Sequence, residues 1–293
     1  MPKARLLMIV ITALFLTNCA SGDHAPFSAE EPVVRDPGII ALRLQAAVQS
    51  TDRLSITTIG QIRYDKFSVP IWLLQLTNNA PNAPKVLITA GVHGNEPAGV
   101  ESAVRLAERL ARDPDTYRKF AFEIIPVVNP WGWSRDLRFN QQGIDINRDF
   151  VSLASQEARI ISGYLQREQY HLIVDLHEDP AARGFYMYQY GRPDKTVLEP
   201  IVTAVAKRGY PIEQDIKMVT LKTKNGIIDA PLWGLRYMQL TRQLSITNYG
   251  RLYNSANVFT IETPTVLQWE DRLQIQHQAL EMLLEAMLET SPS

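Results

Sequence analysis

Three observations predict an α/β fold. Four apolar runs, residues 86–90, 122–128, 172–177 and 258–262, are rich in β-branched or aromatic residues and read as buried strands. Amphipathic stretches with helical spacing run from Ala98 to Ala111, from Ser155 to Gln166 and from Gln268 to Glu289. Each apolar run ends in, or is soon followed by, a polar residue able to do chemistry: His93 and Glu96, Asn129, His177, and Glu262. If the runs are neighbouring parallel strands, these groups meet at one rim. That rim lies outside the carboxyl ends of the strands, where open α/β sheets bind ligands.

Composition agrees with one sizeable core. The chain has 293 residues, 45% hydrophobic and 21% charged, which suits a globular domain. A net charge of −1 offers no basic surface, so nucleic acid is not expected as a partner. The sequence has no internal repeat and no low-complexity block.

In chain order, residues 1–19 read as an export leader. Lys3 and Arg5 form a positive start, and Leu6 to Leu16 is an apolar stretch too short to span a bilayer comfortably. Cys19 follows and is the single cysteine, so no internal disulfide is possible. Leu16-Thr17-Asn18-Cys19-Ala20 resembles a bacterial lipobox, which implies a lipid-anchored protein outside the cytoplasm. Asn18 departs from the small residue usual there, and an ordinary signal peptide cut near Ala20 or Ser21 is the competing reading. Residues 20–36, with Ser, Gly, Pro and acidic residues and no periodicity, read as a flexible tether. The folded domain is expected over residues 37–293.

Ile39 to Val48 reads as a short helix, and Leu54 to Gly60 and Val69 to Leu76 as strands. Asp113-Pro114 ends the first long helix, because the residue before proline disfavours helix. Residues 183–256 are rich in Tyr, Arg and Lys and are expected to shape specificity.

The chemistry centres on Gly91-Val92-His93-Gly94-Asn95-Glu96-Pro97, between a strand and a helix. An imidazole and a carboxylate three residues apart can share one zinc ion, and two glycines let the backbone fold tightly enough. His-x-x-Glu alone is short, and on it alone a solvated turn with a chance His and Glu is the favoured reading. His177 alone reads as a structural histidine, and Glu262 alone as a carboxylate facing water. Together they outweigh these bland readings, because a buried strand end is a costly place for unpaired charge.

The stretch from Asn129 to Phe150 adds Asn129-Pro130-Trp131-Gly132-Trp133, Arg138-Phe139-Asn140 and Asp145-Ile146-Asn147-Arg148. With these motifs in order, the chain resembles the M14 zinc carboxypeptidases over most of residues 80–265. The resemblance implies a single domain with a mixed, mostly parallel sheet flanked by helices. It implies that His93, Glu96 and His177 hold one zinc ion and leave a position for water. Asp145 then orients His93, Glu262 is the general base, and Arg138, preferred over Arg135, polarises the scissile carbonyl. Asn147 and Arg148 would hold the substrate's terminal carboxylate. Among Tyr237, Tyr249 and Tyr253, Tyr249 is preferred as the substrate-capping tyrosine, because Asn248-Tyr249-Gly250 reads as a loop. Glu178, beside His177, is the reserve candidate for the base.

The implied activity is cleavage of an amide bond next to a free carboxylate, by a metallocarboxypeptidase or a murein peptide amidase acting on peptides or cell-wall peptides. His-Gly-Asn-Glu and Asp-Leu-His also resemble the succinylglutamate desuccinylase and aspartoacylase branch, which implies N-acyl amino acid deacylation instead. A non-catalytic peptide- or wall-binding lipoprotein is the rival from another class. Such a protein is expected to have lost Glu262 or a ligand, and all four are present.

Overall fold

The computed structural model describes residues 35–76, 83–191, 195–214, 217–218, 221–255 and 257–289. The leader, Cys19 and all of the expected tether except Arg35 and Asp36 lie outside the described residues. Arg35 is held to the domain: its Nη1 donates to the carbonyl of Trp133 at 2.8 Å, and its Nη2 pairs with Asp136 at 2.6 Å.

The described residues open with helix α1 (Pro37–Gln49) and a hairpin of β1 (Leu54–Arg63) and β2 (Ser68–Leu76). Then come β3 (Lys85–Ala90), α2 (Pro97–Arg112), β4 (Ala121–Ile125), the short α3 (Pro130–Arg135) and a 3-10 turn at Ile146–Arg148. Helix α4 (Gln156–Leu165), β5 (Leu172–Asp179), β6 (Tyr186–Tyr190) and α5 (Lys195–Lys207) follow. The rest is the two-residue strands β7 (Lys217–Met218) and β8 (Leu221–Lys222), β9 (Ile227–Ala230), α6 (Leu232–Leu240), α7 (Ile246–Tyr253), β10 (Asn257–Pro264) and α8 (Trp269–Glu289).

Eight strands form one mixed sheet in the order β1-β2-β4-β3-β5-β10-β6-β9. The central four, β4, β3, β5 and β10, are mutually parallel. The β1–β2, β2–β4 and β10–β6 pairs are antiparallel, and β6–β9 is parallel. The α/β expectation therefore holds, with the parallel strands in the centre. The strand expected over residues 122–128 is shorter than its apolar run. Ile125 ends β4 because Pro126 has no N–H for the ladder, although Val127 and Val128 stay buried.

Alternation along the central strands sorts residues onto two faces. Val86, Ile88, Leu172, Val174 and Leu176 pack in the cluster shared with α1, α2, α5 and α8. Leu87, Ile173 and Val258 pack on the other side with α4 and α7. Helix α2 shows why these elements stay together. Val100, Val104, Ala107 and Leu110 form one fully buried stripe. Burying each Val or Leu contributes roughly 1.5–3 kcal/mol.

Candidate metal centre and active site

The site forms where the four parallel strands end. β3 stops at Ala90, and Gly91 takes a positive φ of 64°, which turns the chain out of the sheet at a conformation glycine adopts freely. The loop then lies directly on α3. A Cβ at Gly94 would sit 1.9 Å from the Gly132 carbonyl carbon, so no side chain fits there. This close seat fixes His93 and Glu96, which are 3% and 2% exposed.

His177 arrives from β5, and its register partner on β10 is Glu262. Neighbouring residues in register share a face, so His177 and Glu262 lie side by side on the α4/α7 face of the sheet. One donor atom from each of His93, Glu96 and His177 falls within 4.8 Å of the others. Glu96 lies between the imidazoles: its Oε1 is 2.6 Å from His93 Nδ1 and its Oε2 is 2.7 Å from His177 Nδ1.

The far nitrogens of both rings face carboxylates. His93 Nε2 is 3.2 Å from Asp145 Oδ1, and His177 Nε2 is 2.7 Å from Asp175 Oδ2. With a cation bound, a proton on each Nε2 would leave both Nδ1 lone pairs for that cation, which is the arrangement of histidines that bind a metal. Glu96, Asp145, Asp175 and Glu262 together place four carboxyl groups around two imidazoles, with the guanidiniums of Arg138 and Arg148 both acting on Asp145. Glu96 and Asp175 are buried and Asp145 and Glu262 half-buried, and an excess of carboxyl groups there calls for a cation. The donor set of two nitrogens and one carboxylate fits a divalent metal.

Asp145 also joins the site to its loop. It caps the 3-10 turn by accepting from Asn147 N at 3.0 Å, and it accepts from Arg138 Nη2 at 2.9 Å. Burial opposes its ionisation, but the bond to His93 and the charge of Arg138 hold its carboxyl well below the usual range. Burial likewise works against Glu96, and the two imidazoles overcome it. Glu262 behaves oppositely. Burial pushes its carboxyl well above the ordinary range, opposed by His177 and reinforced by Glu96, Asp179 and Asp175.

Arg138 reaches the ligands: its Nη1 is 3.3 Å from His93 Nδ1 and 3.8 Å from Glu96 Oε1. Asn129 caps α3 through Gly132 N at 2.9 Å and donates to the Arg138 carbonyl at 3.3 Å, so this rim residue positions Arg138. Arg135 is directed elsewhere, 3.4 Å above the Trp131 ring. Asn147 is turned inward. Its Oδ1 accepts from Ile246 N at 3.2 Å, at the start of α7, and its Nδ2 lies 3.5 Å from His177 Nε2. Arg148 donates to the Asn147 carbonyl at 2.8 Å and makes no other hydrogen bond to a described residue.

Two expectations need correction. Tyr249 is on no loop. Ser245 accepts from Asn248 N at 3.1 Å and starts α7, which carries Asn248-Tyr249-Gly250 as helix. The Tyr249 ring is buried between Phe150 and Tyr253, at 5.9 and 4.8 Å between centroids, and belongs to the core. Tyr237 and Tyr253 lie on α6 and α7 and are 43% and 47% exposed. Glu178 fails as a reserve base, because it faces the other side of the sheet with both oxygens engaged, by Ala98 N and Arg272.

Two sets of residues escaped the sequence reading. Asp175 sits inside an apolar strand, also bound by Thr89 Oγ1 at 2.6 Å. The available signal was Asp-x-His, whose two-residue spacing puts both side chains on one face. Tyr186, Tyr188 and Tyr190 alternate along β6 on the Glu262 face, with Tyr186 in register with Glu262. Tyr186 donates to Asp179 at 2.7 Å, and Tyr190 lies 3.0 Å from Thr260 Oγ1. The signal was Tyr-x-Tyr-x-Tyr.

Comparison with known proteins agrees with this geometry. The family model of the succinylglutamate desuccinylase/aspartoacylase catalytic domain matches residues 82–217. Mouse carboxypeptidase D is 31% identical over 166 residues, which is 49% of this chain and 12% of that protein. A carboxypeptidase 2 from Arthroderma benhamiae is 34% identical over 125 residues, 40% of this chain and 24% of that protein. The chain thus spans under a quarter of the length of the curated relatives it matches. A solved protein from Shewanella amazonensis shares the fold at a TM-score of 0.72 and 21% identity, over 86% of this chain and 93% of that one. A metallo-carboxypeptidase from Burkholderia cenocepacia does so at 0.62 and 19% identity, over 88% and 70%.

Proposed function

We propose that this M14-like chain is a zinc-dependent hydrolase that cleaves an amide bond next to a free carboxylate, as a metallocarboxypeptidase or murein peptide amidase. The observation that carries the reading is the convergence of His93, Glu96 and His177 with Glu262 and Arg138 at one rim. A zinc ion held by the three ligands would supply a Lewis acid and lower the pKa of its water towards about 7. Glu262 accepts a proton from the attacking water and returns it to the leaving nitrogen. Its burial and carboxylate neighbours raise its affinity for that proton, which strengthens it as a base. Arg138 stabilises the negative charge that develops on the carbonyl oxygen. Arg148, with most of its guanidinium unengaged among the described residues, pairs with the substrate carboxylate. Asp145 and Asp175 hold the imidazoles in place.

A second reading, deacylation of N-acyl amino acids, is favoured by the match of residues 82–217. A panel of peptides with free C-termini, γ-D-glutamyl-diaminopimelate peptides and N-acyl amino acids separates the two. Turnover confined to the last class would overturn the peptidase reading.

Export and a lipid anchor at Cys19 complete the proposal, supported by the leader and lipobox-like stretch. Among the described residues no helix is long and apolar enough to cross a membrane. The Cys19→Ser chain is expected to lose fatty-acid labelling and membrane association. Equal association and processing of both forms would favour an ordinary signal peptide.

A further inference from the structure

Helix α2 begins without help from its own N-cap residue. That residue is Glu96, whose carboxylate bridges the two imidazoles and makes no hydrogen bond to the first helical turn. Pro97 carries no N–H, so the first donor left unpaired is the Ala98 N–H. Glu178 Oε2 accepts from it at 2.7 Å, across 80 residues of sequence. Glu178 Oε1 accepts from Arg272 Nη1 on α8 at 2.6 Å. The Glu178 backbone N–H in turn donates to Glu96 Oε2 at 3.1 Å. The strand and the helix start are close enough for this only because of Gly99. A Cβ there would lie 2.7 Å from the Leu176 carbonyl oxygen.

We propose that Glu178 is a positioning residue for the metal centre. It acts as a borrowed cap that keeps both Glu96 oxygens turned towards the imidazoles and the cation, with Oε2 also held by the Glu178 N–H. The inference rests on reading His93, Glu96 and His177 as the ligands. The reasoning is competition for one acceptor. A glutamate at an N-cap has an unpaired helix donor within reach behind it and a metal in front. If Glu178 is removed, the carboxylate of the N-cap residue Glu96 is the acceptor that helix geometry offers to the Ala98 N–H, two residues on. Turning towards the helix takes an oxygen from the ligand set. Arg272 fixes Glu178 from the other side, so α8 supports the centre without touching a ligand side chain. Glu178 thereby binds the ligand-bearing segment twice, through its backbone to Glu96 and through its side chain to Ala98.

The test compares the full chain with Glu178→Leu, Glu178→Gln and Arg272→Met. Zinc dissociation constants are measured by competition with a chromophoric chelator, well below the melting temperature of each metal-free protein. Glu178→Leu is expected to weaken zinc binding about 10- to 100-fold, the usual effect of losing a partner that orients a ligand. Glu178→Gln, which keeps an acceptor for Ala98 N–H, should recover most of that loss. A Glu178→Leu protein that melts earlier but binds zinc within twofold of wild type would show a purely structural role and overturn the proposal. Should Glu178→Leu fail to fold, Arg272→Met decides. Weakening of about tenfold, the low end of that range, supports the proposal, and an unchanged constant overturns it. A wild-type chain that binds no zinc would sink the ligand assignment itself, a result distinct from either.

Discussion

His177 and Glu178 are consecutive residues at the end of β5, and they do opposite jobs. His177 faces the α4/α7 side of the sheet, where it meets Glu96, Asp175 and Glu262. Glu178 faces the α2/α8 side, where it closes a helix start and an ion pair. Both are titratable and almost fully buried, at 3% and 2% exposure. The difference is what surrounds them. Glu178 has a donor for each oxygen and forms a closed structural knot. The front cluster gathers more carboxyl groups than guanidiniums, and its convergent donor set fits a metal. A buried titratable residue at a strand end therefore points to a direct part in the chemistry only when its partners leave a charge unbalanced.

The contrast breaks most sharply at the base. Glu262→Gln keeps the shape of the front face and removes its proton acceptor. Turnover should fall about 10²–10⁴-fold, the usual worth of general-base help, while zinc still binds. Unchanged kcat in steady-state assays would move the base away from Glu262. Arg148→Ala should act on binding instead. KM is expected to rise strongly with little change in kcat, and the penalty should shrink when the substrate carboxylate is replaced by an amide. A substrate without a free carboxylate, cut equally well by both proteins, would contradict that role.

The smallest expected effect lies far from the site. Arg43 on α1 binds Glu101 at 2.5 Å and Glu108 at 2.8 Å on α2. Burial raises the Glu101 carboxyl, but the bonds from Arg43 and Arg105 outweigh it and hold the group below its ordinary range. A carboxyl depressed in the folded state stabilises the fold above its unfolded pKa. That stability is lost as pH falls through the depressed value. Arg43→Met should therefore cost about 1 kcal/mol or less at neutral pH, since the groups are partly exposed. The gap from wild type should close in acid. Thermal melts across pH 7 to 3 check this, and a gap that grows in acid would reverse the sign.

The front face was legible in the sequence because each rim residue followed a run of β-branched and aliphatic residues. Val86 to Ala90 and Leu172 to Leu176 had few alternatives to buried strands. Their ends marked His93, Glu96 and His177. Asp175 was hidden because it lies within such a run, where one polar residue hardly alters the pattern. Residues 183–256 were harder for a different reason. β7 and β8 are two residues long, α5 contains Pro200, and α6 is separated from α7 by only Thr241–Ser245, with Arg242 at a φ of 60°. Periodicity needs longer windows than these elements offer. Asn248-Tyr249-Gly250 misled because Asn and Gly usually mark turns. Here Gly250 is helical and packs on the tip of the Ile173 side chain, where a Cβ would lie 2.8 Å from Cδ1. The role of Glu178 was invisible because it depends on contacts with Ala98 and Arg272, distant in sequence.

The metal is the element on which the front face depends, and its content is the most direct measurement. Purified full-length protein is assayed by elemental analysis beside hydrolysis of a peptide with a free C-terminal carboxylate. One zinc per chain is expected. Chelation should remove the metal and the activity together, and added zinc should restore both. A folded, active preparation with no bound metal would contradict the account.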